Sequence, residues 1–388
     1  MYPSGLHLRD AGPEVGKRDR VVSEPSQTGT RMQISHISSI DEFDKLRDTW
    51  DAVYSADQHA TIHRSWAWLR GWMESTPYNP FVLAVRQNTG SPYVSFVVLG
   101  LEPNTKDGGK LYLGGYPFSA HTGFVCLPEY AEEVIPTLSA FIQKGLEWDR
   151  FEIRDAFDPR LDTFLKCFSP RKFSVHRINR TPAPYTPLPK SWDQYLQDFL
   201  GGTTCRMLKY KLRRIERETN LRETEIQPDN LESQIATLLT LWQGRWGRKS
   251  EQSLNQWRAI MRCCFESNSL WLTILWDEMT PLAGMAAYLD QQKKTFSYFM
   301  SGYNDKYAKL SPGAVMLVRS IQYAIENGFL TYDFGRGADN YKFKYGAKQR
   351  FNTNVIIVRK NLRTKVKNQI SRLKNYRYLA ELYDALKR

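Results

Sequence analysis

Apolar and polar residues alternate from Thr295 to Gly302 (TFSYFMSG). After a Ser311-Pro312-Gly313 turn the spacing changes, and Ala314, Leu317, Val318, Ile321, Ala324 and Ile325 recur every three or four residues. The first pattern predicts a strand and the second a helix with one buried stripe, because side chains on one face repeat at those two spacings. Gly328 predicts the helix's C-terminal cap, and Leu330 to Phe334 the next strand.

The same reading predicts a strand at Met32 to Ile37, a helix over Asp41 to Ala56, and a helix carrying Trp66, Leu69, Trp72 and Met73. Paired strands at Phe81 to Arg86 and Tyr93 to Leu101, a strand at Lys110 to Gly115, a helix at Glu129 to Leu146 and a strand at Phe151 to Arg154 follow. The proline-rich run Pro182 to Pro189 must be extended. Beyond it come helices at Trp192 to Leu200, Thr203 to Thr219, Asn230 to Trp246 and Leu254 to Ser267, with strands near Leu221 to Ile226, Leu270 to Trp276 and Leu282 to Leu289. LYLGGY, a helix and WDRFEIRDA in the first half parallel YFMSGY, a helix and FLTYDFGRG in the second. One design used twice is the expectation.

Composition sets bounds on that picture. With 388 residues, 41% hydrophobic and 13% aromatic, the chain can bury two cores and is not disordered throughout. Residues 1–31, rich in Gly, Pro, Ser and charge, predict a flexible leader. No apolar run approaches the ~18 residues that span a bilayer, and the N-terminus lacks the apolar stretch of a secretory signal, so a cytoplasmic protein is expected. Five cysteines, odd in number and without a C-x-x-C pair, indicate neither a disulfide framework nor a zinc site. His59 and His63 stand four apart without an H-E-x-x-H pattern, so no metal is expected. The net charge of +13 is concentrated in Arg359 to Arg388, where ten Lys or Arg face only Glu381 and Asp384. A basic helical tail is expected there, either a solvated face or a contact with an anionic membrane or RNA. Arg206 to Arg217 predicts a second basic, amphipathic helix.

Chemistry gathers in two places. A Pro-Gly turn ahead of a helix leaves its first N–H groups uncommitted at the positive end of the dipole, which makes an anion site suited to a pyrophosphate. Tyr332 to Ala347, YDFGRGADNYKFKYGA, then brings polar and aromatic residues to the end of a strand, where ligand sites lie. No G-x-S-x-G, Walker loop or dinucleotide fingerprint is present, which argues against hydrolase, nucleotidase and dehydrogenase chemistry.

Ser301-Gly302-Tyr303, Ser311-Pro312-Gly313, Asp333 to Gly337, Tyr341 and Lys342 together resemble the second half of the GNAT acyltransferase fold, in its CelD-like branch linked to cellulose and other polysaccharide synthesis. Tandem GNAT-like domains, as in CelD-like and FemAB-like proteins, are therefore expected over residues 32–182 and 183–358. Each is an α/β unit with a mixed twisted sheet flanked by helices, and only the second keeps the cofactor loop.

The resemblance implies acyl-coenzyme A held between two splayed parallel strands, with Ser311, Pro312, Gly313 and Ala314 at its phosphates. Asp333 or Asp339 is then the base, Tyr341 the donor to the leaving sulfur, and Arg336 or Lys342 the anchor for an anionic acceptor or the cofactor phosphates. Arg245 and Trp246 line an acceptor cleft. Apart from the resemblance, His121, in a loop expected to face the second domain, is a candidate general base and substrate contact. The acceptor is an amine or hydroxyl of a sugar or cell-envelope precursor. The alternatives are FemAB-like transfer from aminoacyl-tRNA and a non-catalytic scaffold or nucleic-acid-binding protein that keeps the fold.

Overall fold

The structure is a computed structural model and describes residues 32–105 and 108–360. The predicted leader, residues 1–31, and the predicted tail beyond Lys360 lie outside the described residues. The first part of the chain supplies β1 (Gln33–Ile37), α1 (Ile40–Asp44), α2 (Arg47–Ala56), α3 (Trp66–Ser75), β2 (Asn79–Arg86), β3 (Tyr93–Thr105), β4 (Gly108–Leu113) and β5 (Val125–Cys126). It continues with α4 (Ala131–Gly145), β6 (Arg150–Ala156), α5 (Leu161–Lys166) and β7 (Phe173–Pro182). The helix expected over Asp41 to Ala56 is two helices. Leu46 N–H bonds Phe43 O at 3.0 Å, a tight turn that breaks the helical run while both side chains stay buried.

The rest contributes β8 (Tyr185–Pro187), α6 (Trp192–Asp198), α7 (Gly202–Glu218), β9 (Leu221–Glu225), α8 (Leu231–Trp246), α9 (Glu251–Glu266) and β10 (Leu270–Asp277). It closes with β11 (Thr280–Asp290), β12 (Thr295–Tyr303), α10 (Pro312–Glu326), β13 (Thr331–Asp333), α11 (Asn340–Phe343) and β14 (Phe351–Arg359). Two mixed sheets result. One runs β1-β2-β3-β4-β6-β14-β7 with β5 on β3, and the other β8-β13-β12-β11-β10-β9. Each holds one parallel pair, β4 with β6 and β12 with β13, among antiparallel neighbours. This is the repeated α/β design expected from the sequence.

The expected domain boundaries need correction, because space does not divide where the sequence does. β14, placed by sequence in the second domain, lies between β6 and β7 of the first sheet, where Val355 and Ile357 fill the first sheet's core. Arg359, assigned to the tail, is its last residue. It donates from Nη2 to Gln143 O (3.0 Å) and covers the Trp148 ring. β8 joins the second sheet within three residues of the end of β7. The two crossings run side by side, tied by Ala183 N to Arg350 O (2.9 Å) and Lys348 N to Tyr185 O (2.7 Å). The extended proline-rich run is one half of this ribbon.

A shared core joins the two halves. Trp50, Trp68 and Trp72 from α2 and α3 pack with Ile235, Ile260, Ile274 and Tyr288 from the second half. Helices α3 and α9 cross so closely that a Cβ on Gly71 would stand 2.5 Å from Ile260 Cα. On the other face of the second sheet, Val315, Leu317, Val318 and Ile321 of α10 cover Phe296, Tyr332 and Met285.

Candidate functional site

The chemistry-bearing residues surround the end of the parallel pair β12–β13. These strands pair only at Thr295 with Thr331, Phe296 with Tyr332, and Ser297 with Asp333. Beyond that they part. Phe334 N–H turns away to Pro184 O (3.0 Å) and Gly337 N–H to Pro182 O (2.8 Å), whereas β12 stays on β11 up to Tyr303, past a bulge at Phe299. One edge of β12 from Tyr298 onward is thereby left without a strand neighbour among the described residues. In the first sheet the equivalent gap is closed. Thr122 bridges Ala156, with Thr122 N–H on Asp155 O (2.9 Å) and Phe157 N–H on Thr122 O (3.0 Å).

The Ser311-Pro312-Gly313 turn starts the helix that packs along this gap. Ser311 takes left-handed backbone angles (φ 54°, ψ 48°), and its carbonyl accepts Ala314 N–H (3.0 Å) and Val315 N–H (3.2 Å). Pro312 has no N–H, so the Gly313 N–H is the one left without a partner among the described residues, at the positive end of a 15-residue helix. A Cβ on Gly313 would stand 3.3 Å from the Tyr303 ring. Arg245, at the end of α8, lies over Tyr303 (5.4 Å) and Trp246 (5.6 Å), and Trp246 is exposed. Beside the gap, Tyr298 Oη is 2.8 Å from Ser301 Oγ and interacts with the Tyr341 hydroxyl. Burial pushes the Tyr341 hydroxyl well up, and Tyr298 and Asp339 push it the same way. Tyr341 therefore keeps its proton at neutral pH.

Several predicted site residues are committed to holding the halves together. Asp333 is buried. Its Oδ2 accepts from Arg350 Nη2 and lies 2.7 Å from His121 Nε2, and its Oδ1 accepts Gly335 N–H (2.8 Å). Burial alone would raise this carboxyl, yet the charges of His121 and Arg350 and these bonds outweigh it and hold the group well below the usual carboxylate range. A carboxylate so stabilised is a poor proton acceptor, which corrects the expectation of Asp333 as base.

His121 does reach the second sheet, but it is fully buried, with Nδ1 3.1 Å from Asn352 Oδ1. It joins domains and is closed to substrate. Lys342 is also corrected as an anchor for a ligand. Its buried Nζ donates to Arg336 O (2.8 Å) and Gly337 O (2.9 Å) and sits 3.4 Å from Asp339 Oδ2, so it ties down the D-F-G-R-G loop. Arg336 donates to Asp155 Oδ2 (2.9 Å) and Pro117 O (3.0 Å) across the domain contact, with its side chain 40% exposed. Asp339 remains largely exposed.

Sequence reasoning missed Tyr298, which reads as one more aromatic in an alternating strand. It also missed Arg350, whose guanidinium lies between the rings of Phe157 (4.8 Å) and Tyr185 (4.9 Å). Nothing local to Arg350 signals that role, since its partners are remote in sequence. Among the described residues no helix is long and apolar enough to cross a membrane, and no cluster of His, Cys, Asp and Glu is arranged to hold a metal.

Comparison with known proteins agrees with this geometry. Residues 203–343 match the family described as acetyltransferase (GNAT) domain. No curated protein matches the sequence. Among solved structures the chain is similar to FemX, with a TM-score of 0.59 at 13% identity over 83% of this chain and 96% of that one. It is also similar to the C-terminal domain of a putative lysylphosphatidylglycerol synthetase from Agrobacterium fabrum (TM-score 0.51, 11% identity, 86% of this chain and 95% of that one). A third likeness is to L-PGS from Bacillus licheniformis (TM-score 0.50, 13% identity, 84% and 95%). The chain thus has an α/β fold of two mixed sheets, within which residues 203–343 match a GNAT acetyltransferase domain.

Proposed function

We propose that the protein is an acyl-coenzyme A-dependent transferase that acylates an amine or hydroxyl of a sugar or cell-envelope precursor, in the CelD-like manner and in the cytoplasm. The observation that carries this reading is the open gap between β12 and β13 with the free Gly313 N–H at the start of the helix beside it. In this reading the donor's pyrophosphate rests on the N-terminus of α10 at Ser311 to Ala314 and its thioester enters the gap. There, unpaired N–H groups of β12 polarise the carbonyl. The acceptor's nitrogen or oxygen forms a bond to the carbonyl carbon and loses its proton to Asp339, the exposed carboxylate of the motif, which keeps Lys342 Nζ at 3.4 Å. The carbon–sulfur bond then breaks, and the thiolate takes the Tyr341 proton, which Tyr298 and Ser301 help to replace. Arg245 and Trp246 guide the acceptor.

A second reading, transfer from aminoacyl-tRNA, is favoured by α7. Arg206, Lys209, Arg213 and Arg217 line a groove of about 350 Å³ there, and Arg214 Nη1 donates to Lys309 O (3.1 Å) just ahead of the Ser311 turn. Thermal shift separates the two. Acetyl- or longer acyl-coenzyme A should raise Tm in the first reading. A rise only with tRNA, lost steeply as salt increases, supports the second.

A further inference from the structure

Between the two halves lies a half-open cavity of about 680 Å³, lined by residues other than the Ser311 to Ala314 turn. That volume lies within the ~300–1,000 Å³ of small-molecule sites. Its floor is the face of β12 and β13 turned away from α10. Phe296 and Tyr332 point into the α10 core, so strand alternation sends Thr295, Ser297, Thr331 and Asp333 to the opposite side, and all four line the cavity. The walls come from the segment after α2, the end of β6, the β11–β12 turn and the start of β14.

The lining mixes apolar side chains such as Ile62, Phe157 and Phe351 with the hydroxyls of Thr61, Thr295, Ser297, Thr331 and Thr353, and carries charge at a few points. The buried Asp290 accepts the Tyr54 hydroxyl on Oδ2 (2.5 Å) and Lys293 N–H on Oδ1 (3.0 Å), and burial raises its carboxyl. In the wall, the buried Thr61 hydroxyl has no partner among the described residues. Polar walls alone would simply hold water. Arg350 argues for more. Its plane is fixed between Phe157 and Tyr185, its Nε donates to Ala183 O (3.0 Å), and its Nη2 serves Asp333 and His121. Its Nη1 has no protein partner among the described residues, so one edge of an oriented guanidinium is available within the cavity lining.

We propose that this cavity binds a monosaccharide unit bearing a carboxylate or phosphate, with the anion on the Nη1 edge of Arg350 and the ring hydroxyls on Ser297, Thr295, Thr331 and Asp290. Ser297 and Asp333 are the last paired residues before the strands part, so the site adjoins the apex of the donor gap. The bound sugar's role as the acyl acceptor rests on the acyltransferase reading; the binding itself does not.

Isothermal titration of the full chain with glucose 1-phosphate, glucuronate, glucose and inorganic phosphate tests it, with coenzyme A titrated in parallel. Glucose 1-phosphate or glucuronate should bind at least tenfold more tightly than both glucose and inorganic phosphate, and which of the two wins identifies the anion. Ser297→Leu fills the floor without touching the contacts of Arg350, and should weaken that sugar at least tenfold. Thr331→Leu serves the same end from the neighbouring strand if the first variant does not fold. Arg350→Lys keeps the charge but loses the fork, and should reduce the preference over glucose. Glucose binding as tightly as the anionic sugars, inorganic phosphate binding as tightly, or no sugar binding while coenzyme A still binds would each overturn the proposal. In the last case the donor reading stands. Sugar binding without coenzyme A binding would leave the cavity assignment intact and sink the donor reading.

Discussion

Replacing Asp333 with asparagine separates a clamp from a catalytic base. The wild-type carboxylate lies buried between Arg350 and His121, one from the residue just before β14 and the other from the first-domain loop, and also accepts Gly335 N–H. The amide side chain would keep the shape and can still accept the Gly335 bond, but it leaves the Arg350 guanidinium without its counter-charge. Breaking a buried ion pair costs ~3–5 kcal/mol. Because one bond survives, the lower end, about 3 kcal/mol, is expected. For a unit of this size ~2–4 °C is lost per kcal/mol, so Tm should fall by roughly 6–12 °C.

The acid side gives an independent check. The folded carboxyl is held well below its unfolded value. The stabilisation is therefore full above the unfolded pKa of about 4 and is lost as pH falls from there toward the folded value. The Asp333→Asn variant lacks this contribution, so the gap in stability between the two proteins should narrow on acidification below about pH 4. Differential scanning calorimetry across pH, with activity normalised to folded protein, measures both. A variant that melts within about 2 °C of wild type but loses ~10²-fold or more in kcat/KM would refute the clamp and restore Asp333 as base.

Tyr341→Phe should lower kcat/KM by ~10²–10⁴-fold with little change in Tm, as expected for loss of a general acid. Since burial raises this hydroxyl, wild-type activity should show no alkaline fall from its ionisation below the ordinary tyrosine range. Gly313→Asp, which puts a carboxylate beside the free N–H at the start of α10, should abolish the Tm rise given by coenzyme A; retained binding would show the phosphates lie elsewhere. Gly302→Ala should destabilise by ~1–3 kcal/mol, because its Cβ would stand 2.3 Å from Leu241 C and 2.4 Å from Trp242 N, both backbone atoms that cannot swing aside. An unchanged melting curve would disprove that close approach of α8 to β12.

The sequence by itself determined the elements that carry a strong local period. The alternation in β12, the apolar stripe and Pro-Gly start of α10, and the repeat of strand, helix and strand in the two halves were all legible, because those signals depend on residues a few positions apart. Strands without such a signal were not. β7 reads FSVHRINRTP, mostly exposed, and β14 is recognisable only by where it inserts, since its partners β6 and β7 lie far back in the chain. The site divided along the same line. Ser311 to Gly313 and the D-F-G-R-G strand end announced themselves locally. Whether a charged residue there faces a ligand or a partner depended on which distant groups the fold brought to it. Tertiary structure alone gave Asp333 to His121 and Arg350, turned Lys342 onto the carbonyls of its own loop, and joined residues from both halves around one cavity. The physical reason is that a strand or helix is set by short-range geometry, whereas the role of a buried charge is set by whichever counter-charge long-range packing places beside it.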